Sequence, residues 1–183
     1  MADKEHDWLI RLGFFDRGTV PIGPDWRDWM HGVFVQNGPV SSDDLHLMAA
    51  LAISEVAEAA CERVSRDVLS STGSSIIVKI VDSDGVSRVQ IDGQLASGTG
   101  VRSARLEHLT VDVADAVQEH LIEHLWRPWP ECVRHRHGVH PEVRDGKASW
   151  VCRVGDHAVA EIGQFDRRDQ LTARRRAKPK RSR

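Results

Sequence analysis

The sequence predicts an α+β fold: a long helix, an antiparallel β-hairpin and a second helix form the core, and a small β-ribbon follows. Three observations support this fold class. Apolar residues recur at helical spacing in 41–71 and again in 111–126. β-Branched residues flank the turn sequence DSDG at 82–85, and Cys and His residues concentrate in 132–157, after Pro128 and Pro130.

The first helix is predicted to begin after Ser41. Ser41 and Asp44 have the spacing of a capping box, with Asp in place of the usual Glu. Apolar residues then recur every three or four positions, which predicts one wide face against a core. That face comprises Leu45, Met48, Ala49, Ala52, Ile53, Val56, Ala57, Ala60, Val64 and Val68. Cys61 lies beside this face and is interpreted as a buried, unreactive thiol.

The segment SSIIVKIVDSDGVSRVQIDG, residues 74–93, predicts a β-hairpin. Asp84 and Gly85 form its tight turn, because this dipeptide readily adopts the left-handed backbone that such turns need. Residues 101–109 are a candidate for a third strand.

The second helix is predicted from Val111 to Trp126, with Thr110 as its N-cap. Its inner face comprises Val113, Val117, Leu121 and Leu125. Pro128 and Pro130 end the helix, since proline cannot supply the helical hydrogen bond.

Four segments are therefore expected. Residues 1–40 are an irregular Trp-rich lead-in, in which one short helix is left open near KEHDWLIRLGF at 4–14. Residues 41–127 are the α+β core, 128–165 the ribbon and 166–183 a disordered basic tail. The lead-in is rich in aromatic residues, which are expected to pack across the main core or, alternatively, to form a partner-docking patch. They are Trp8, Phe14, Phe15, Trp26, Trp29 and Phe34.

Charge is distributed unevenly along the chain. The net charge is −2, yet the last 17 residues are strongly basic, so the rest of the chain is acidic. Such a tail can contact phosphates of nucleic acid or an acidic protein. The candidate contact residues are Arg174, Arg175, Arg176, Lys178, Lys180 and Arg181. The alternative is a tail that only improves solubility.

The cellular location is predicted from apolar runs and cysteines. No apolar run approaches the ~18 to 20 residues that cross a bilayer, and the first residues are polar. The chain has three cysteines, which is an odd number and too few for a disulfide framework. We therefore expect a cytoplasmic protein without membrane association.

The segment WPECVRHRHGVHPEVRDGKASWVC, residues 129–152, predicts a metal site. Cys132 and His135 have C-x2-H spacing, which lets one tight turn direct a thiolate and an imidazole at one ion. A hairpin after residue 146 should return Cys152 to the same place. Two thiolates with two imidazoles favour zinc. Three histidines compete for the fourth position: His137, His140 and His157. The alternative is a packed ribbon with buried cysteines and solvated histidines.

Residues 125–163 also resemble the C-terminal part of small uncharacterised bacterial proteins with a W-P-x-C-P-x-H and W-x-C-P pattern. The shared positions are Trp129, Pro130, Cys132, His135, Trp150 and Cys152. Val133 and Arg153 replace prolines of that pattern. The resemblance implies no activity, but it favours His140 as the fourth ligand. The resulting set is Cys132, His135, His140 and Cys152, with His137 and His157 as alternates.

A second His motif lies in the predicted second helix. His120, Glu123 and His124 match H-x-x-E-H, in which two histidines bind zinc and the glutamate acts as a base. We interpret the motif as a partly exposed helix edge, because a zinc hydrolase needs a third protein ligand and a cleft.

Three functions follow, in order of preference. The first is a non-enzymatic accessory or adaptor protein with a structural zinc ribbon and a basic tail. The second is a metal-dependent hydrolase with a His-rich site. The third is an acidic, immunity-type protein that captures a basic partner. The number of protein ligands distinguishes the adaptor from the hydrolase. Four protein ligands fill the shell of a structural zinc, whereas a catalytic zinc keeps one position open.

Overall fold

A computed structural model describes residues 2–12, 24–84, 86–97, 100–101 and 103–166. The predicted basic tail from Arg167 onward, the turn residue Gly85 and the aromatic residues Phe14 and Phe15 lie outside these ranges. Within them the α+β fold is confirmed: helices pack against small antiparallel sheets.

The structure contains four helices and eight strands among the described residues. They are α1 (Ala2–Arg11), α2 (Pro24–Asn37), α3 (Ser42–Thr72), β1 (Val78–Ser83), β2 (Val86–Ile91), β3 (Gln94–Leu95), α4 (Leu106–Leu125), β4 (Glu131–Cys132), β5 (His137–Gly138), β6 (His140–Arg144), β7 (Lys147–Cys152) and β8 (His157–Glu161). None of these helices is long and apolar enough to span a bilayer.

The long helix α3 follows its sequence signals. The Ser41 hydroxyl accepts a 3.1 Å hydrogen bond from the backbone N–H of Asp44, as a capping residue does. Gly73 ends the helix in the left-handed conformation, φ 77°, and its N–H donates to the carbonyl of Leu69. The predicted apolar face supplies core residues such as Ala60 and Val64, both fully buried.

The first sheet has the strand order β1-β2-β3. β1 and β2 pair in the predicted hairpin, with Val78 opposite Ile91 and Ser83 opposite Val86. The third strand is β3, reached through the left-handed residues Asp92 and Gly93, and not the segment 101–109.

Helix α4 begins one turn earlier than predicted. Leu106 is its first residue, so Thr110 lies inside the helix and not at its cap. The Thr110 hydroxyl donates to the Leu106 carbonyl at 2.7 Å, and Leu109 is fully buried. Burial of the additional apolar turn explains the earlier start. The helix ends as predicted before Pro128, with Trp126 left-handed at φ 53°.

The ribbon shares one hydrophobic core with the helices. Residues of α3, α4 and the first sheet form a single buried cluster with Trp129, Val139, Ala148 and Trp150. Trp129 and Trp150 pack edge to face with centroids 5.4 Å apart. The boundary predicted at residue 127 is therefore a bend, not a separation between independently packed units. A ribbon this small buries too little apolar surface alone.

The N-terminal segment is helical where it is described: α1 lies where the sequence left one short helix open, whereas α2 falls in the part that was predicted to be irregular. α1 and α2 pack on the start of α3 in a second cluster that contains Trp8, Met30, Phe34 and Leu45. Trp8 also donates from Nε1 to the Val40 carbonyl at 2.8 Å. Among the described aromatic residues of this segment, only Trp26 packs against the main core. Three of the four described aromatic residues of this segment therefore build a second core, and they are Trp8, Trp29 and Phe34.

Candidate metal centre

Four Cys and His side chains converge at one end of the ribbon. Atoms of Cys132, His135, Cys152 and His157 that could bind a metal all lie within 4.8 Å of one another. His135 Nδ1 is 3.7 Å from Cys132 Sγ and 3.2 Å from Cys152 Sγ. His157 Nε2 is 3.8 Å from Cys132 Sγ. These four residues could hold a metal ion.

Two similar turns build this cluster, here called the Cys2His2 cluster. In the first, Cys132 pairs with His137 and residues 133–136 form the turn. In the second, Cys152 pairs with His157 across residues 153–156. Each turn has a left-handed residue at its last position, φ 58° at residue 136 and φ 42° at residue 156. Each turn thus presents a cysteine at the end of its first strand.

The second candidate ligand of each turn comes from a different position. The first turn provides His135, three residues after its cysteine. The equivalent position of the second turn is Gly155, and the candidate ligand is instead His157, directly opposite Cys152 in the strand register. Side chains opposite each other in an antiparallel pair lie on the same face, which brings this thiol and this imidazole together.

Gly155 leaves room for both imidazoles. A Cβ atom at this position would lie 2.8 Å from His157 Nδ1 and 2.9 Å from His135 Nδ1, and closer still to His135 Cε1. Carbon atoms do not approach ring atoms this closely, so any larger side chain would displace the rings. Gly155 is a supporting residue that the spacing of Cys and His did not reveal.

Burial dominates the electrostatics of the cluster. Cys132 and Cys152 are 2% and 0% exposed, and the two imidazoles are half-buried. Burial raises the pKa of Cys132, and the neighbouring Cys152 adds to the increase, whereas the backbone N–H groups of His135 and Arg134 oppose it. Burial, followed by the nearby His157, lowers the pKa of His135. Since thiols must lose a proton to bind a cation, metal binding should weaken in acid.

The predicted fourth ligand, His140, is not in the cluster. It lies opposite Val151 in the register of β6 and β7, so it shares the face of Val151. Cys152 is the next residue and points to the other face. His140 is exposed, as is the alternate His137, and the other alternate, His157, completes the cluster.

One sequence signal pointed to His157. Cys132 and His137 are separated by four residues, and Cys152 and His157 repeat that spacing. The repeat reflects two turns of the same length. It does not by itself tell which of the two paired histidines is a ligand, because that depends on the residue inside each turn.

The other candidate site residues do not form a second centre within the described ranges. His120 and His124 stack with ring centroids 4.1 Å apart, and His124 Nδ1 is 2.7 Å from the His120 carbonyl oxygen. No third Cys, His or carboxylate ligand completes a group there among the described residues. Cys61 is buried, and burial raises its pKa to about 11, as expected for an unreactive thiol.

Comparisons with protein-family models, with curated proteins and with solved structures found no match to this chain. The function is therefore inferred from the chemistry of the Cys2His2 cluster.

Proposed function

We propose that the Cys2His2 cluster binds a structural zinc ion and that the protein acts as a non-enzymatic adaptor. The observation that carries this proposal is the convergence of two buried thiols and two imidazoles from separate turns. A zinc ion bound there would join the turn at 133–136 to the turn at 153–156. It would thereby stabilise the end of the ribbon, which is held mainly by short strand pairs.

The distances support zinc as the metal. Tetrahedral zinc, with Zn–S near 2.3 Å and Zn–N near 2.0 Å, places sulfur and nitrogen ligands about 3.5 Å apart. Three of the four S–N separations are 3.2, 3.7 and 3.8 Å. Each of these three separations differs from the tetrahedral value by about 0.3 Å or less. Thiolate and imidazole ligands together favour zinc over calcium or magnesium, which prefer oxygen.

The number of ligands supports a structural role. Four protein ligands fill a tetrahedral zinc shell, so no position is left for the reactive water of a hydrolase. The H-x-x-E-H helix is a poorer candidate for catalysis, because among the described residues its histidines lack a third ligand. We therefore infer that the protein binds a partner and does not catalyse a reaction.

The partner is inferred from charge. The segment 167–183 contains nine Arg or Lys residues and one Asp, and it lies outside the described residues. When such a segment binds the phosphates of nucleic acid, it releases their counterions, and this release favours binding. The segment can also bind an acidic protein. We place the protein in the cytoplasm, where reducing conditions keep thiols available for zinc.

Zinc content of purified protein tests the metal proposal. We expect one zinc per chain in the native protein and a large loss in Cys132→Ser and Cys152→Ser. Cys61→Ser is the matched control, since Cys61 is also buried but is not in the Cys2His2 cluster. Equal zinc in all four proteins, or none in the native protein, would contradict the proposal.

A hydrolase screen tests the absence of catalysis. Native protein with zinc bound should show no metal-dependent hydrolysis of ester, peptide or phosphodiester substrates. Hydrolysis that disappears in His120→Ala or Glu123→Gln would contradict the adaptor proposal and support a metal-dependent hydrolase.

A further inference from the structure

A groove beside the Cys2His2 cluster is lined in part by Trp126, a largely exposed tryptophan. It lies between the end of α4, the bend that follows and the two turns of the ribbon, and has a volume of about 700 Å³. Its lining includes Ile122, Trp126, Arg127, His137, His140 and Arg153. We call it the Trp126 groove.

Trp126 is unusual in both exposure and backbone conformation. Its side chain is 91% exposed, although burial of an indole is strongly favourable. Its φ of 53° is a conformation that bulky residues rarely adopt. Ile122 and Val154, also in the lining, are 41% and 62% exposed. Several exposed apolar residues around one groove are typical of a binding surface.

The base of the groove is firmly held. The buried side-chain amide of Gln118 donates hydrogen bonds of 2.7 Å to the Trp129 carbonyl and 2.6 Å to the Val139 carbonyl. These bonds fix the bend after α4 to the start of β6. Gly138 lies close enough to Pro128 that a Cβ atom there would be 3.3 Å from the proline Cβ. A groove held in this way needs little ordering when a ligand binds.

The rim of the groove is cationic. Arg127 is exposed and has no ion-pair partner within the described part of the chain. Arg153 pairs with Glu142 at 2.9 Å but keeps 66% of its side chain exposed. His137 and His140 are exposed donors, and Glu123 is the single acidic residue of the lining. This charge is opposite to the net charge of residues 1–166, which are acidic as a whole.

We propose that the Trp126 groove binds single-stranded nucleic acid, with one base stacked on Trp126 and phosphates contacted by Arg127 and Arg153. An exposed aromatic ring next to arginine is the combination that holds unstacked bases and their backbone. An acidic peptide would use the arginines but would leave the exposed indole without a role. The inference rests on the proposed adaptor function, and it specifies nucleic acid as the partner.

Binding of a labelled oligothymidylate and a labelled oligouridylate to the full chain tests this groove. Measurements at about 0.3 M salt suppress contacts that depend only on phosphate charge, such as those of the basic tail. Under these conditions Trp126→Ala should weaken binding about tenfold, the usual effect of losing one stacked base, and Trp126→Phe should retain most of the affinity. Arg127→Ala should weaken binding and reduce its dependence on salt.

Leu69→Ala is the matched control, because Leu69 is a 52% exposed apolar residue on α3 that does not line the groove. It should bind as the native chain does. Unchanged affinity in Trp126→Ala, loss of all binding at this salt concentration, or tighter binding of an oligoglutamate would each overturn the groove proposal.

Zinc content separates this test from that of the proposed function. Trp126→Ala should keep its zinc, since the indole is not a ligand. If it keeps zinc and also keeps native oligonucleotide affinity, the groove proposal fails and the zinc site stands. If native protein lacks zinc, the proposed function fails whatever the groove binds.

Discussion

The indole Nε1 of Trp150 donates a 2.7 Å hydrogen bond to the carboxylate of Asp67, and both side chains are fully buried. The same carboxylate accepts 2.8 Å hydrogen bonds from the backbone N–H groups of Gly163 and Phe165. Burial raises the pKa of Asp67, and these three donors and Arg66 oppose the increase. Asp67 therefore connects α3 to the centre of the ribbon and to the residues that follow β8.

Replacement of Asp67 should strongly destabilise the protein. In Asp67→Asn one acceptor oxygen becomes an NH2 group that faces N–H donors, which should lower the free energy of unfolding by about 2 to 3 kcal/mol. Urea denaturation measures the change. Glu58→Gln is the control on the same helix, because Glu58 is exposed, and it should unfold as the native protein does. Equal stability of the two variants would contradict the role given to Asp67.

Glu107 should make the stability depend on pH in the acid range. Burial alone would raise its pKa, but the Ala148 N–H at 2.6 Å and the Arg63 guanidinium at 2.8 Å lower it overall. A carboxylate with a lowered folded pKa stabilises the protein above its unfolded pKa, about 4.3 for Glu, and loses this contribution as the pH falls through the folded value.

Melting temperatures between about pH 6 and pH 2.5 test this dependence, since that range spans the unfolded pKa of Glu. Glu107→Gln should melt at a lower temperature near neutral pH and lose less stability on acidification than the native protein. Glu55→Gln, at an exposed position of α3, should follow the native curve. Parallel curves for the native protein and Glu107→Gln would show that Glu107 does not contribute.

Local signals determined which parts of the fold could be predicted. α3 was predicted from Ser41 and a regular apolar face, and the β1–β2 hairpin from β-branched residues around an Asp-Gly turn. α2 was missed because Gly and Pro residues before it indicated turns. Pro24 is in fact its first residue, a position that proline favours, and Trp26, Met30 and Val33 have helical spacing.

The candidate site was predictable up to its fourth member. Cys132, His135 and Cys152 follow from the spacing of one turn and the return of one hairpin. The choice between His140 and His157 depends on strand register, which the β6–β7 and β7–β8 pairings determine jointly with their packing on the helices. No local pattern near His140 indicates which face of the sheet it occupies.

Histidine replacements should distinguish the proposed ligands from their neighbours. His157→Ala removes one ligand, so zinc affinity should fall by more than about 100-fold, the upper range for the loss of a group that only supports a ligand. His140→Ala should retain zinc, because His140 is on the other face of the sheet. Competition with a chromophoric chelator measures both affinities. Loss of zinc in His140→Ala with retention in His157→Ala would restore the ligand set that the sequence favoured.

The paired histidines of α4 should be dispensable for folding. The His124 ring is hydrogen-bonded to the backbone carbonyl of residue 120, and His120→Ala leaves this carbonyl in place. Thermal unfolding of His120→Ala should therefore give a free energy within about 0.5 kcal/mol of the native value, as for most surface changes. Zinc content should also be unchanged. A large loss of either would assign these histidines a structural or metal-binding role.

Gly155→Ala should weaken metal binding without unfolding the protein. The added Cβ would lie 2.8 Å from His157 Nδ1 and 2.9 Å from His135 Nδ1, so the rings cannot keep the positions in which they meet the two thiols. Gly155 does not have a positive φ, and its backbone therefore accepts alanine. Without metal the rings can turn away, so the melting temperature of the metal-free protein should change little. We expect zinc affinity to fall at least about tenfold, the lower range for disturbing groups around a metal ligand.

Gly32→Ala is the matched control for this change. A Cβ atom at Gly32 would meet nothing within 4 Å, and Gly32 lies inside α2. The substitution should leave zinc affinity unchanged and raise the free energy of unfolding by about 0.5 to 1 kcal/mol, because alanine favours a helix over glycine. Native zinc affinity in Gly155→Ala would show that the two imidazoles do not have to lie together beside Gly155.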